Sequence, residues 1–363
     1  MSKRILSAVS LFAIIPLVIF SMIFPLAVLS FSILRIDTLA LRLPHETPEN
    51  SSEELIDTAF LQIPSNGSYP MGDYITALMP TDCEKLTALP QIALINDLLP
   101  EDAKEIFPTD LSQNGSPLIN DTDFKVDIEN SISAFAPTKK TGNDPLVLVL
   151  HTHATESFTT PEESYRIINS DGTQSCYYSP SHTTTRSIDN TKNVVHLGKL
   201  FSEKLNTLGI PTLHCTAQHD NPNYNKSYAN ARETIKGYLE KYPSIEYIVD
   251  LHRDSIIRSG GEKIKPVCTI EDESTAQIML VMGSGDNHPD WRKNLSLALK
   301  FKTTADIMYP GFSRPVYLRT WSFNQELCPG AVILEVGSCA NSLSEAESAA
   351  IHAAEVFARA IMQ

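Results

Sequence analysis

An α/β fold, with a largely parallel sheet flanked by helices, is what the second half of this 363-residue sequence predicts. Three observations predict it. From residue 146 onward, short unbroken apolar runs alternate with stretches of helical periodicity, the pattern of strands joined by covering helices. Polar residues that can do chemistry stand just where three of the apolar runs finish, as they do at the carboxyl ends of strands in open sheets. The composition, 42% hydrophobic and 20% charged, is that of a globular chain with a real core.

Charge and hydropathy divide the chain in three. Residues 1–35 carry Lys3, Arg4 and Arg35, with an uncharged run between Arg4 and Arg35 that exceeds the roughly 20 residues a helix needs to cross a bilayer. The run is too long for a signal peptide and does not end in a small-residue cleavage site, so an N-terminal transmembrane helix is expected. Basic residues before the span and Asp37 after it place the N-terminus in the cytoplasm and the rest of the chain outside.

Residues 36–145 hold 19 acidic side chains against 6 basic ones, with turn-formers such as Asn66-Gly67-Ser68 and Asn114-Gly115-Ser116-Pro117. An acidic, partly disordered linker is the expectation. The net charge of −14 argues against a nucleic-acid binder, whose affinity rests on neutralising phosphates.

In residues 146–363, Leu146 to Leu150 reads as a buried strand. Val194, Leu197, Phe201, Leu205 and Leu208 recur at helical spacing and Gly209 follows as a stop. Ile210 to His214 reads as strand, Ser227 opens a helix to about Tyr242, and Ile245 to Leu251 returns as strand. Gln277 to Met282 is another strand, followed by a helix from about Trp291 to Met308. Ala331 to Val336 is the last strand. Ser344 with Glu347 reads as the capping box of a final helix whose Ala349, Ala353, Val356 and Ala360 share a face.

Three clusters carry the chemistry: His151-Thr152-His153-Ala154-Thr155-Glu156-Ser157, Asp250-Leu251-His252-Arg253-Asp254-Ser255, and Leu334-Glu335-Val336-Gly337-Ser338. Neutral imidazoles with a carboxylate are what a catalytic zinc takes as protein ligands. Glu335, set between aliphatic neighbours, suits a general base whose pKa burial raises. Of the first two histidines, His153 is the chosen ligand, with His151 as the fallback or an orienting group. There is no Gly-x-Ser-x-Gly elbow, Walker loop, Gly-x-Gly-x-x-Gly or His-Glu-x-x-His. The six cysteines form no Cys-x-x-Cys pair and read as scattered small residues.

These three clusters, with Asn193-Val194-Val195, His219-Asp220, His288-Pro289-Asp290-Trp291, Arg314-Pro315 and Asn324-Gln325, make residues 146–363 resemble the stage II sporulation protein P family. The resemblance implies a zinc-dependent N-acetylmuramoyl-L-alanine amidase fold acting on peptidoglycan, with endopeptidase activity on peptide crosslinks. It also implies work in engulfment alongside a sporulation protein D-type glycan-cleaving enzyme and a protein M-type membrane protein. Transferred residue by residue, it makes His153 (or His151), Glu156 and His252 the metal ligands, Glu335 the catalytic base and Arg253 a group that steadies substrate or oxyanion charge. Asp189 is the competing carboxylate ligand. Cys339 stands where the family usually has Asn, and Phe323 where Tyr commonly precedes Asn-Gln. The rival readings are a catalytically idle wall-binding module that recruits hydrolases and a metallo-carboxypeptidase of the same wall.

Overall fold

The structure, a computed structural model, describes residues 99–112, 115–139, 142–169 and 171–363. The expected membrane anchor and most of the expected linker lie outside the described residues. No helix among the described residues is long and apolar enough to cross a membrane.

The chain begins with strands β1 (Lys104–Thr109) and β2 (Leu118–Asn120) and a short helix α1 (Ile128–Ser133) capped by the Asp127 side chain. Then come β3 (Val147–Leu150), the hairpin β4 (Ser164–Ile168) and β5 (Gln174–Tyr178), α2 (Val194–Thr207), β6 (Thr212–His214) and α3 (Ser227–Lys241). The rest is β7 (Tyr247–Asp254), β8 (Lys263–Ile270), β9 (Glu273–Ala276), β10 (Ile278–Gly283), α4 (Trp291–Met308), β11 (Val316–Arg319), β12 (Gly330–Ser338) and α5 (Leu343–Met362). Between residues 99 and 139, where linker was expected, β1 and β2 pair into the two sheets and α1 packs against the core. Their apolar content is too short to register as periodicity and is buried only by pairing.

The main sheet has the order β2-β11-β10-β12-β7-β3-β6. Its central run β12-β7-β3-β6 is parallel, as expected, but β10 is antiparallel to β12. A second sheet, β4-β5-β1-β8-β9, is mixed and mostly antiparallel. The expectation of a largely parallel sheet is therefore corrected to a mixed α/β fold. The cause is the hairpin β8–β9. Its turn, Glu271-Asp272 with both φ positive, sends the chain back without a crossover helix, so β10 enters reversed.

Two faces of the main sheet differ in cover. Val147, Val149, Val249, Leu251, Val332 and Leu334 pack under α2, α4 and α5, where each fully buried aliphatic contributes about 1.5–3 kcal/mol. The other face, carrying Leu148, Leu150, Ile248 and Ala331, has α3 with Ala231 and Ile235. Residues alternate sides along a strand. Asp250 and His252 therefore share the side of Ile248, and Glu335 that of Ala331, so all three lie on the more thinly covered face.

The helix signals are found close to where they were read. Gly209, at φ 79°, ends α2. The final capping box is Ser342 with Glu345, two residues earlier than expected: Ser342 accepts from the Glu345 amide while Glu345 reaches back to the Ser342 amide. Ser227 is the first residue of α3, which follows a single tight turn at Tyr224–Lys226. Cys176, Cys215, Cys268 and Cys339 are free thiols.

Candidate metal and proton-transfer centre

Strand β7 runs three residues past the apolar stretch that announces it, so His252 and Arg253, like Asp250, are strand residues. His252 is paired in register with Glu335 on the parallel neighbour β12. Just beyond, β12 shifts register before Ser338, and Gly337 takes φ 67°, where a Cβ would stand 2.8 Å from Asn341 Oδ1. Only glycine fits that kink.

The turn after β3 delivers the other two candidate ligands. It is held by Asp250, which accepts from the Thr152 amide (2.7 Å) and hydroxyl (2.6 Å), and by Asp220, which accepts from the Thr155 hydroxyl (2.6 Å) and from Arg186 (3.0 Å). His219 Nδ1 donates to the carbonyl of His151 at 2.7 Å. The His219-Asp220 pair is thus scaffolding for the segment that carries His153 and Glu156.

His153 stacks on Tyr224 with centroids 4.5 Å apart and meets His252 edge-on at 5.3 Å. Its Nδ1 is buried with no hydrogen-bond partner, and burial and the nearby His252 hold its pKa down at about 4. Glu156 Oε2 stands 3.5 Å from His252 Nδ1 and accepts from the Arg253 amide at 3.2 Å. Burial alone would raise the Glu156 carboxyl, but His252 and Arg253 outweigh it and hold it at about 2. The opposite ring atom, His252 Nε2, is 2.9 Å from Asp250 Oδ1 but out of line for a hydrogen bond. Burial works against a charge on His252, yet Asp250 and Glu156 on either side raise its pKa above the ordinary value.

Glu335 Oε2 is buried without a partner. Burial, and then the neighbouring Asp254 carboxylate, push Glu335 up to about 8. Its half-buried side chain still opens to the thinly covered face.

A tetrahedral Zn²⁺ with bonds of ~2.0–2.2 Å sets neighbouring donor atoms roughly 3.3–3.5 Å apart. The His252–Glu156 spacing of 3.5 Å meets that requirement, and the partnerless Nδ1 of His153 is a donor in want of an acceptor or an ion. The Asp250 carboxylate behind His252 has the place of an outer partner that orients a ligating imidazole. Among the described residues, no group of three or more His, Cys, Asp or Glu side chains is already gathered so as to hold an ion. The donors therefore fit zinc in kind and in the spacing of one pair.

The remaining expected residues fall elsewhere. His151 is fully buried. Its Nδ1 donates to Leu251 O at 2.8 Å and its Nε2 meets His214 Nε2 at 2.9 Å, so neither nitrogen is left for an ion. Arg253 donates to the carbonyls of Ser157 (3.0 Å) and Thr185 (2.8 Å) and lies 3.7 Å from Glu156. It fastens the ligand turn to β7. Asp189 accepts from Thr191 in an exposed turn and faces Lys192; it does not join His252.

Sequence reading missed the tyrosines. Tyr224 is clamped between His153 and the Arg186 guanidinium, 4.6 Å from its ring centre. Tyr228 packs edge-on to His153 at 5.5 Å, and burial raises its hydroxyl pKa with Asp250, Glu335 and Glu156 all near enough to bear on it. Both belong to the entry to α3, which carries no His or carboxylate to mark it in sequence.

Stage II sporulation protein P of Bacillus subtilis (strain 168) is 27% identical to this chain over 239 residues, which span 61% of this chain and 52% of that protein. This chain thus matches about half the length of that relative. Among solved structures, the N-acetylmuramyl-L-alanine amidase Ami1 of Mycobacterium abscessus in its apo form is 14% identical, with 60% of this chain and 96% of that chain covered and a TM-score of 0.32. The CwlD amidase of Clostridioides difficile, solved in complex with the GerS lipoprotein, is 13% identical, with 60% and 94% covered and a TM-score of 0.33. At scores this low neither likeness bears on what this chain does. The stage II sporulation protein P family, by contrast, matches residues 100–358, from just before β1 almost to the end of α5, and the chain belongs to that family.

Proposed function

We propose that this chain is a peptidoglycan hydrolase, a zinc-dependent N-acetylmuramoyl-L-alanine amidase that cleaves the amide between the lactyl group of N-acetylmuramic acid and L-alanine. The observation that carries the reading is the pairing of Glu335 with His252 in adjacent strands, which sets a buried carboxyl of raised pKa beside imidazole and carboxylate donors. In this reading His153, Glu156 and His252 would hold the zinc. When bound, the ion supplies Lewis acidity toward the carbonyl and lowers the pKa of water.

The chain's own residues do the rest. Glu335, when ionised, takes a proton from the attacking water and passes it to the departing amine. The raised pKa makes it a stronger base than an exposed carboxylate and a competent acid afterwards. Tyr228, kept neutral by burial, would donate a hydrogen bond to the oxygen on which charge develops. Arg253 and Asp250 position the ligands.

The same centre would serve cleavage of peptide crosslinks, which are also amides. Residues 1–35 would anchor the chain as a single membrane pass with the enzyme on the cell-wall side, acting in engulfment with a glycan-cleaving protein D-type enzyme and a protein M-type membrane protein. The test is digestion of purified sacculi by the full chain, with products read by mass spectrometry. Release of whole stem peptides with a free L-alanine amine is expected, lost with chelator and with Glu335→Ala. Undiminished release by Glu335→Ala in metal-free buffer would overturn the reading, as would release of single amino acids.

A further inference from the structure

A cavity of about 370 Å³ lies beside the centre, lined by Tyr228, Arg319, Trp321, Ser322, Phe323 and Asn324. We propose that it is a subsite for a pyranose ring of the glycan strand. This rests on the amidase reading and deepens it by assigning where the sugar side of the substrate is held.

The cavity shares Tyr228 with the surroundings of the centre: its ring packs against His153 and, at 5.9 Å, against Phe323. An apolar track on the same sheet face joins them: Ile333, two residues before Glu335 on β12, packs with Met279, Val281, Tyr317 and Phe323.

The walls suit a sugar. A pyranose presents C–H groups on one face and hydroxyls around its edge, so it needs a flat apolar platform with polar atoms at the rim. Trp321 is 71% exposed, an indole face open to solvent where apolar area is costly to leave wet. Arg319 and Ser322 supply rim donors. The volume falls in the lower part of the range of small-ligand sites, room for about one or two rings, and too little for a helix or a folded partner.

The platform is also rigid. Gly283 and Gly285 let the loop approach β10 so closely that a Cβ at Gly283 would lie 2.0 Å from Trp321 O. Gln325 is buried and ties the loop to the Gly283 amide (2.8 Å) and the Val281 carbonyl (2.9 Å), and Asn324 donates to Tyr228 O at 2.8 Å. Phe323 and Asn324 are held at φ 53° and 61°, a conformation that persists only where the surroundings fix it. An exposed indole on a fixed shelf is preorganised for stacking.

Of the chain's two tryptophans, Trp291 is 3% exposed and Trp321 71%, so a fluorescence change on ligand addition reports Trp321. The full chain carrying Glu335→Gln is titrated with peptide-free glycan strands, with free stem tetrapeptide and with phosphatidylglycerol vesicles, and affinity is measured in parallel by calorimetry. A saturable blue shift with glycan alone is expected. Trp321→Ala should weaken glycan affinity at least about tenfold, and Trp321→Phe should recover most of it. A response to tetrapeptide or vesicles without one to glycan overturns the subsite, and so does glycan affinity unchanged in Trp321→Ala. Hydrolysis of sacculi by the unmutated chain without glycan binding overturns the subsite alone; glycan binding without hydrolysis supports it and sinks the amidase reading instead.

Discussion

Glu335 and His252 face each other in register on neighbouring parallel strands, which fixes the proposed proton carrier beside a candidate ligand through backbone pairing rather than through flexible loops. Strand-borne groups are held to tighter tolerance than loop-borne ones. The consequence for mutation is a separation of activity from stability. Glu335→Gln removes a carboxyl that burial penalises in its ionised form, so the urea midpoint at pH 8 should stay or rise. Stem-peptide release should fall by about 10²–10⁴. A large loss of stability with activity retained would mean that Glu335 is a structural residue.

The two histidines of the first cluster should separate in the opposite sense. His153 keeps a partnerless nitrogen in the centre, so His153→Ala and His252→Ala should each lower bound zinc by mass spectrometry and abolish release. His151→Ala should leave zinc content near that of the unmutated chain but destabilise it by about 1–3 kcal/mol, the cost of leaving buried polar groups without partners. Gly198→Ala should act like His151→Ala, because the added methyl would stand 2.4 Å from His151 Nε2 and 2.7 Å from His214 Nε2.

What could be read from sequence was whatever local pattern decides. Val194 to Leu205 is an amphipathic stripe and reads as α2 without help, and Leu146 to Leu150 can only be a buried strand. His252 and Glu335 could be nominated because strand ends are where open sheets place chemistry. The antiparallel entry of β10 was not legible, since it follows from a hairpin set by the backbone of Glu271 and Asp272 rather than by hydrophobic period. The contacts of Arg253 with the Ser157 and Thr185 carbonyls were not legible, because a guanidinium beside a candidate site looks the same in sequence whether it faces substrate or its own chain. Tyr228 went unseen because its importance arises from α3 starting over the sheet face that carries Glu335, a long-range fact.

Tyr228 offers a sharper kinetic test. Its hydroxyl stays protonated throughout the neutral range because burial disfavours the phenolate, and it neighbours His153. If it donates to the oxygen that becomes negative, Tyr228→Phe should lower kcat by roughly 10-fold or more, toward the 10²–10³ typical of a lost oxyanion donor. KM should change little. The ring that packs on Phe323 and His153 is kept by this substitution, so a rise in KM at constant kcat would assign the hydroxyl to binding instead.

Glu345 couples acid stability to the end of β12. Its carboxylate closes the α5 capping box, accepts from Asn341 Nδ2 (3.1 Å), Lys265 Nζ (2.8 Å) and Ser274 Oγ (2.9 Å), and Asn341 in turn accepts from the Ser338 amide at the kinked end of β12. Burial would raise the Glu345 pKa, but Lys265 and the Ser342 amide outweigh it and hold it below its ordinary value of 4.5. A carboxyl lowered on folding contributes stability that is present above the unfolded value and is lost as pH falls through the folded one. Unfolding free energy should therefore drop as pH is taken below 4.5. Glu345→Gln should cost about 1–3 kcal/mol at pH 7, and the gap between it and the unmutated chain should narrow as pH falls below the folded value. Urea titrations across that range measure both, and a gap that widened toward acid would show that the carboxylate destabilises the fold.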